Sequence, residues 1–296
     1  TALIENGSKA TGALRGLAQG ADAAVNGFVT LPPLVQSGVT ALTGIKVQEN
    51  HGPAGSEGFF AECVRLLTDA GHPFLVAGTF ALTHHTGIVR PTKDLDVFCK
   101  AGDCPRILSR FQEEGYRTEV EDERWISKVF EGEHYIDIIY NVSTAVVPVT
   151  DEWFERAPTT ELYGTQALVT PATEFIWSKM FMQYHDRYDG ADVAHIILKK
   201  HEEIDWERLL AGVELYWEVL LMHLINFRFV YPSERNLIPR WLFDELIGRL
   251  RAQAVVPPST VRMCRGRLLS PADYLVDVSE WGFADMVGRA GSEQYG

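Results

Sequence analysis

From Glu57 onward the apolar residues fall into regular spacings. Phe60, Cys63, Val64 and Leu67 recur at i, i+3, i+4 and i+7, which places them on one face of a helix that stops at Gly71. The continuous apolar run Phe74-Leu75-Val76-Ala77 predicts a buried strand, and Gly78-Thr79 leads from it into a short helix, 80–85, ended by Gly87. Asp94-Leu95-Asp96-Val97-Phe98-Cys99 alternates as a strand does and presents two carboxylates on one face. A helix over about 105–114 follows, then strands at 116–120, 125–130 and 134–140, with Gly132 marking the hairpin between the last two. Beyond Thr170-Pro171 the spacing is helical over 172–188, 191–200, 206–211, 213–229 and 239–253. Pro257-Pro258 opens a link to a terminal segment in which Ser270 and Pro271 form a helix N-cap and N1 pair.

This order predicts an α+β fold: a mixed sheet with helices over 57–165, then a mainly helical domain with a C-terminal tail over 166–296. Residues 1–56 differ in texture, with nine glycines, one aromatic residue (Phe28) and six charged residues. They read as a flexible Gly/Ala-rich arm in which 10–25 could form a helix and Leu31-Pro32-Pro33-Leu34 a docking strap. No stretch of 18 uninterrupted apolar residues exists, because 213–231 is broken by Glu214, Glu218, His223, Asn226 and Arg228. With no basic-then-apolar order of a secretory signal at the N-terminus, a cytoplasmic location without membrane contact is expected.

Composition narrows the classes. The 296 residues carry 27 Lys and Arg against 40 Asp and Glu, a formal net charge of −13, which excludes a broad basic face for nucleic acid and leaves only a local basic cleft. Cys63, Cys99, Cys104 and Cys264 form no CxxC pair and read as reduced thiols.

Asp94, Asp96 and Asp137 are the most informative residues. Positions two apart on a strand project together, so Asp94 and Asp96 share a face, while Asp137 is a lone carboxylate between Ile136 and Ile138 in an otherwise apolar strand. Any one of these acids alone reads as a partner of Lys93, Arg90 or Lys128. Together they would repel unless a cation sat among them, and oxygen ligands at this density suit Mg²⁺ or Mn²⁺. Gly78 permits close backbone approach and Thr79 offers a hydroxyl where the N–H groups of the next helix are unpaired, which makes either an anion cradle or a simple N-cap. Neither GxxxxGK[ST] nor GxGxxG is present. Farther on, Ile176, Lys179, Met180, Gln183 and Arg187 fall on one face of the helix predicted over 172–188, so Lys179 and Arg187 either face the α/β layer or pair with Asp186, Asp189 or Asp192. Arg90 and Lys93 either steer phosphates or neutralise Asp94. His84 and His85 read as helix-end residues, and Trp206, Tyr216, Trp217 and Trp241 as core.

Phe74-Leu75-Val76-Ala77-Gly78-Thr79, then Asp94-Leu95-Asp96, then Ile136-Asp137-Ile138 resembles the signature of the nucleotidyltransferase superfamily of the DNA polymerase β type. The run from Gly78 to Asp96 is similar to the bacterial branch that includes AbiEii-type toxins, and Lys179, Arg187, Asp189 and Asp192 match that branch's helical motif. Thr79 stands where Gly or Ser is usual, and the gap from Thr79 to Asp94 is slightly long. The resemblance implies transfer of a nucleoside monophosphate from an NTP, such as ATP, to an acceptor hydroxyl on an RNA end, a protein side chain or a small molecule, with Mg²⁺ or Mn²⁺ as cofactor. It implies metal ligation by Asp94, Asp96 and Asp137, catalytic roles for these and Lys179, nucleotide binding by Gly78, Thr79, Arg90, Lys93, Arg187 and Asp192, and an antitoxin-like or other protein partner. A non-catalytic nucleotide- or partner-binding module on the same fold is the alternative.

Overall fold

A computed structural model describes residues 52–142 and 146–287, so the arm expected over 1–56, with its helix and strap, lies almost wholly outside the described residues. A seven-stranded mixed sheet forms the centre, in the order β3-β4-β5-β2-β1-β7-β6. Its strands are β1 (Leu75–Val76), β2 (Leu95–Phe98), β3 (Arg117–Asp122), β4 (Ile126–Glu131), β5 (His134–Ile139), β6 (Thr159–Leu162) and β7 (Thr165–Val169). Helices α1 (Glu57–Asp69), α2 (Gly78–Thr86), α3 (Cys104–Glu113) and α4 (Asp151–Glu155) alternate with them, and α5 (Ala172–Met180) and α6 (Gly190–Lys200) follow. The elements predicted between Glu57 and Tyr140 all form within a few residues of their expected ends.

Two strand pairings position the acids. β2 runs parallel to β5 with Asp96 opposite Asp137, and β4 runs antiparallel to β5 with Lys128 opposite Asp137. Leu95, Val97, Ile136 and Ile138 are fully buried, so the alternation that turns these four into the core turns the two acids to the other face.

The pair β6–β7 was not anticipated. Its two-residue turn, Tyr163-Gly164, has positive φ at both positions (52° and 78°), the conformation of a type I′ hairpin, which a Tyr-Gly dipeptide signals only weakly. β7 lies parallel to β1, between it and the edge strand β6, so the strand layer extends past the boundary expected at 165. Thr170, just after β7, donates both its N–H and its hydroxyl to Val76 O at 2.9 Å, while the buried His85 at the end of α2 donates Nε2–H to Thr170 O at 2.8 Å. Burial pushes the His85 imidazole down to about 4, so it is neutral and free to serve as this donor. The strand end and the helix that flank Gly78 are thereby tied to one residue.

The helical part adds α7 (Trp206–Gly212), α8 (Trp217–Val230), α9 (Arg240–Ala254) and α10 (Leu275–Ser279). The helix expected over 172–188 is in fact broken: α5 ends at Met180 and 181–189 is a loop closed by a Gln183–Tyr188 bridge. The reason is a competing donor. Met180 O, which a continuing helix would offer to Tyr184 N–H, accepts from His223 Nε2 on α8 at 2.7 Å and from Gln183 Nε2 at 3.1 Å, and Tyr184 N–H turns to Arg187 O. Ser270 likewise accepts the Asp273 N–H at 3.3 Å but closes only a turn, and α10 starts five residues later. Trp206 is core as expected, whereas Trp241 is half exposed. No single helix among the described residues is long and apolar enough to cross a membrane.

Trp153 of α4 is fully buried and joins the two layers, its ring 5.2 Å from Phe98 of β2 and 6.0 Å from Trp177 of α5. Trp153→Ala is expected to cost about 3–5 kcal/mol in urea unfolding at neutral pH, the range for deleting a large buried ring; a loss below about 1 kcal/mol would show that α4 is not a joint between sheet and helices.

Candidate active site

The register of β2 and β5 gathers Asp94, Asp96 and Asp137, and one carboxylate oxygen from each lies within 4.8 Å of the others. Among the described residues this is the group of acids placed to share a metal ion. Asp137 is buried, and Asp94 and Asp96 are half-buried. Thr92 Oγ1 donates to Asp94 Oδ1 at 3.0 Å, which helps to set that carboxylate's direction.

Gly78 meets this cluster from the end of β1. Its φ is +53°, a conformation that L side chains rarely adopt, and a Cβ there would overlap Asp96 Oδ2. The glycine is required twice over, once by the backbone and once by the carboxylate. Ala77 N–H donates to Asp96 O at 2.9 Å and holds the turn against β2. Gly78 opens α2, whose first-turn N–H groups, those of Gly78 and Thr79 among them, have no carbonyl of the same helix to bond. Thr79 is buried beside it. A helix start with unpaired N–H groups and three acids therefore adjoin one another.

Electrostatics show what such a cluster costs. Burial first, then the Asp94 charge, raises the Asp96 carboxyl to about 6 against the fields of Lys179, Arg187 and Lys128. Burial first, then the Asp96 charge, raises Asp137 to about 7, although Lys128 Nζ stands 3.0 Å from its Oδ1. Water has been taken from these groups, and among the described residues no cation fully replaces it. The donor set is all carboxylate oxygen, few in number and hard, which fits Mg²⁺ or Mn²⁺ and lacks the nitrogen or sulfur donors of a zinc site.

The cations expected near the acids occupy two positions. Lys179 is buried in α5 with Nζ 2.9 Å from Asp189 Oδ2 and 3.9 Å from Asp192 Oδ2. Arg187 does not share a helical face with it; the loop after α5 brings Arg187 back so that Nη2 and Nε reach the same Asp189 carboxylate at 3.1 and 3.2 Å. Burial opposes the Arg187 charge, but these bonds and the fields of Asp189, Asp96 and Asp94 outweigh it and raise its pKa. Arg90 forms a two-pronged pair with Asp192, at 2.8 and 2.6 Å. Lys93 is exposed. The result is an alternating chain, Arg90–Asp192–Lys179–Asp189–Arg187, that fastens α6 and the loop to the edge of the acidic cluster.

Lys128 is the one neighbour whose importance the sequence reading understated. The hairpin arithmetic shows it: with Gly132-Glu133 as the turn, Glu131 faces His134, and three positions back Lys128 must face Asp137.

Two outcomes are expected. Without metal, the folded protein holds protons on Asp96 and Asp137 that the unfolded chain has released above the ordinary aspartate value of 3.8, so stability from these groups is present at low pH and is lost as pH rises through about 6 and 7. In chelator, Asp96→Asn should therefore gain on the parent progressively between pH 4 and 8, by on the order of 2 kcal/mol or less; a difference flat across that range would contradict the crowding of the three acids. Gly78→Ala should lose at least about 1 kcal/mol from backbone strain alone and displace Asp96, which calorimetry with Mn²⁺ would read as weakened binding; normal binding would mean that the turn is not part of the site.

No family model matches this chain, and no curated protein matches it. Among solved structures it is similar to the lincomycin-bound lincosamide antibiotic adenylyltransferase LnuA, at 13% identity and TM-score 0.36 over 50% of this chain and 98% of that one. It is also similar to ANT(2″)-Ia in complex with adenylyl-2″-tobramycin, at 17% identity and TM-score 0.35 over 60% and 98% of the two chains. An antigenic nucleotidyltransferase-like protein from Paracoccidioides brasiliensis gives 12% identity and TM-score 0.38 over 61% and 90%.

Proposed function

We propose that this protein is a metal-dependent nucleotidyltransferase that moves a nucleoside monophosphate from an NTP to an acceptor hydroxyl and releases pyrophosphate. The observation that carries the reading is the gathering of three carboxylate oxygens within 4.8 Å, with the Gly78 backbone packed directly on one of them. A structural ion-pair cluster has no need of a side-chain-free approach at that point. A substrate that must bring phosphate oxygens to the same ions has such a need.

In this proposal Asp94 and Asp96 would hold two divalent ions and Asp137 would help to hold one of them. Mg²⁺ or Mn²⁺ there would neutralise charge on the reacting oxygens and acidify the acceptor hydroxyl. Asp137, on the acceptor side of the cluster, would accept the acceptor's proton. Gly78 and Thr79 direct backbone N–H groups at the terminal phosphates of the NTP. Lys179 and Arg187 act through their field, which already lowers the Asp96 carboxyl, rather than by direct contact with the acids. Arg90 and Asp192 serve by fixing Lys179 in place.

The test separates binding from turnover. The protein with Mg²⁺ or Mn²⁺ and each α-labelled NTP, incubated with whole-cell extract, should transfer label to RNA, protein or a small molecule. Asp94→Asn combined with Asp96→Asn should lower transfer by at least about 100-fold, as expected when an electrostatic stabiliser is removed, and abolish metal-dependent NTP binding. Binding of Mg²⁺-NTP by the double variant as tight as by the parent would overturn the site assignment. Metal-dependent binding without transfer to any acceptor would favour a non-catalytic nucleotide-binding module.

A further inference from the structure

Lys128 stands apart from the other cations around the acids. Lys179 and Arg187 share Asp189, and Arg90 holds Asp192. Lys128 instead touches a member of the acidic trio directly, with Nζ 3.0 Å from Asp137 Oδ1. Three further features hold it there. Its side chain is only 19% exposed; its ammonium lies 4.4 Å above the ring of Tyr135, two residues before Asp137 on the same strand; and a second oxygen, Glu121 Oε2 on β3, stands 3.0 Å from the same nitrogen. The strand register β4–β5 fixes its Cα opposite that of Asp137, so the contact follows from the fold and not from a chance rotamer.

We propose that Lys128 is the resident cation of the acidic site: its ammonium holds Asp137 when no divalent ion is bound and competes with that ion for the same carboxylate, so that it sets how much divalent ion the site requires. The inference rests on the metal-binding reading of the trio. A monovalent ammonium on one acid lessens the repulsion that would otherwise burden the metal-free fold. It also places one positive charge beside the position of a doubly charged ion, where the two repel and where Asp137 must be shared or released. Glu121, exposed on the outer side of Lys128, is the alternative acceptor for the ammonium when Asp137 turns to the metal, and Tyr135 supplies a ring face that keeps the ammonium close in either state. Lys128 thus acts through Asp137, as a positioning residue.

The test uses the full chain, Mn²⁺ as the probe, and calorimetry or Mn²⁺ electron paramagnetic resonance at one pH. Lys128→Met is expected to lower the melting temperature in chelator and to bind Mn²⁺ more tightly, by about tenfold from the loss of one nearby positive charge. Glu121→Gln, a change at a half-exposed side chain outside the trio, should act in the opposite direction: with its second acceptor gone the ammonium bears wholly on Asp137, and Mn²⁺ binding weakens several-fold while the chelator-treated protein is little changed. Lys128→Arg should stay within about threefold of the parent. If Lys128→Met does not fold, the Glu121→Gln and Lys128→Arg pair decides. Unchanged or weaker Mn²⁺ binding by a folded Lys128→Met, or unchanged binding by Glu121→Gln, overturns this inference while leaving the metal site standing. Failure of the parent itself to bind Mn²⁺ in a manner lost with Asp96→Asn overturns both.

Discussion

The parallel pairing of β2 with β5 places Asp96 alongside Asp137, and the rest of the site is organised around the cost of that juxtaposition. Two carboxylates on neighbouring strands, with a third two residues earlier, would normally be avoided in a half-buried sheet. The surrounding core makes the arrangement compulsory. Leu95, Val97, Ile136 and Ile138 are fully buried on the opposite face, and a slip of one residue in either strand would exchange acids for aliphatics across the sheet. Apolar burial thereby holds the acids together against their own repulsion.

The cations answer this arrangement in two layers. Lys128 is in contact with the trio. Behind it Arg90, Asp192, Lys179, Asp189 and Arg187 form a chain whose charges are already paired with one another, so it can impose a field on Asp96 without depending on a ligand to keep it in place. Both Lys179 and Asp192 are buried, and each keeps a second partner in the chain, Asp189 for Lys179 and Arg90 for Asp192. That makes the chain a firm mechanical link between α5, α6, the loop joining them and the segment before β2. Thr170 and His85 make the corresponding link on the other side, between β7, the end of β1 and α2.

Much of this was legible in the chain itself, and the parts that were not share a cause. Strands at 95–98 and 134–139 follow from alternation, the acid faces follow from the period of two, and the Gly132 hairpin fixes Lys128 against Asp137 by counting. Local pattern carried each of these steps. What escaped depends on residues distant in sequence. The break after Met180 is made by His223, more than forty positions away, and no local property of 181–188 announces it. The Arg90–Asp192 pair spans 102 positions, beyond the reach of any local pattern. β7 was hidden because Thr165-Gln166-Ala167-Leu168-Val169 runs straight into a helical stretch and its Tyr-Gly turn is an uncommon one. His85 lies at a helix end, but its partner is Thr170, 85 residues on.

The causes of the shifted carboxyls also decide what kind of ligand the site calls for. For both Asp96 and Asp137 loss of water ranks ahead of repulsion from neighbouring acids. A remedy that added only distant positive charge would address the smaller part, which is why the fields of Lys179, Arg187 and Lys128 leave Asp96 raised. Direct ligation by a hard divalent ion addresses both parts at once, since it replaces the missing water oxygens' partner and cancels two of the three charges. A second lysine in place of such an ion could contact only one or two of the oxygens and would itself need desolvation. The same reasoning bears on the glycine at 78: any side chain there would overlap the Asp96 carboxylate and would restore neither water nor charge.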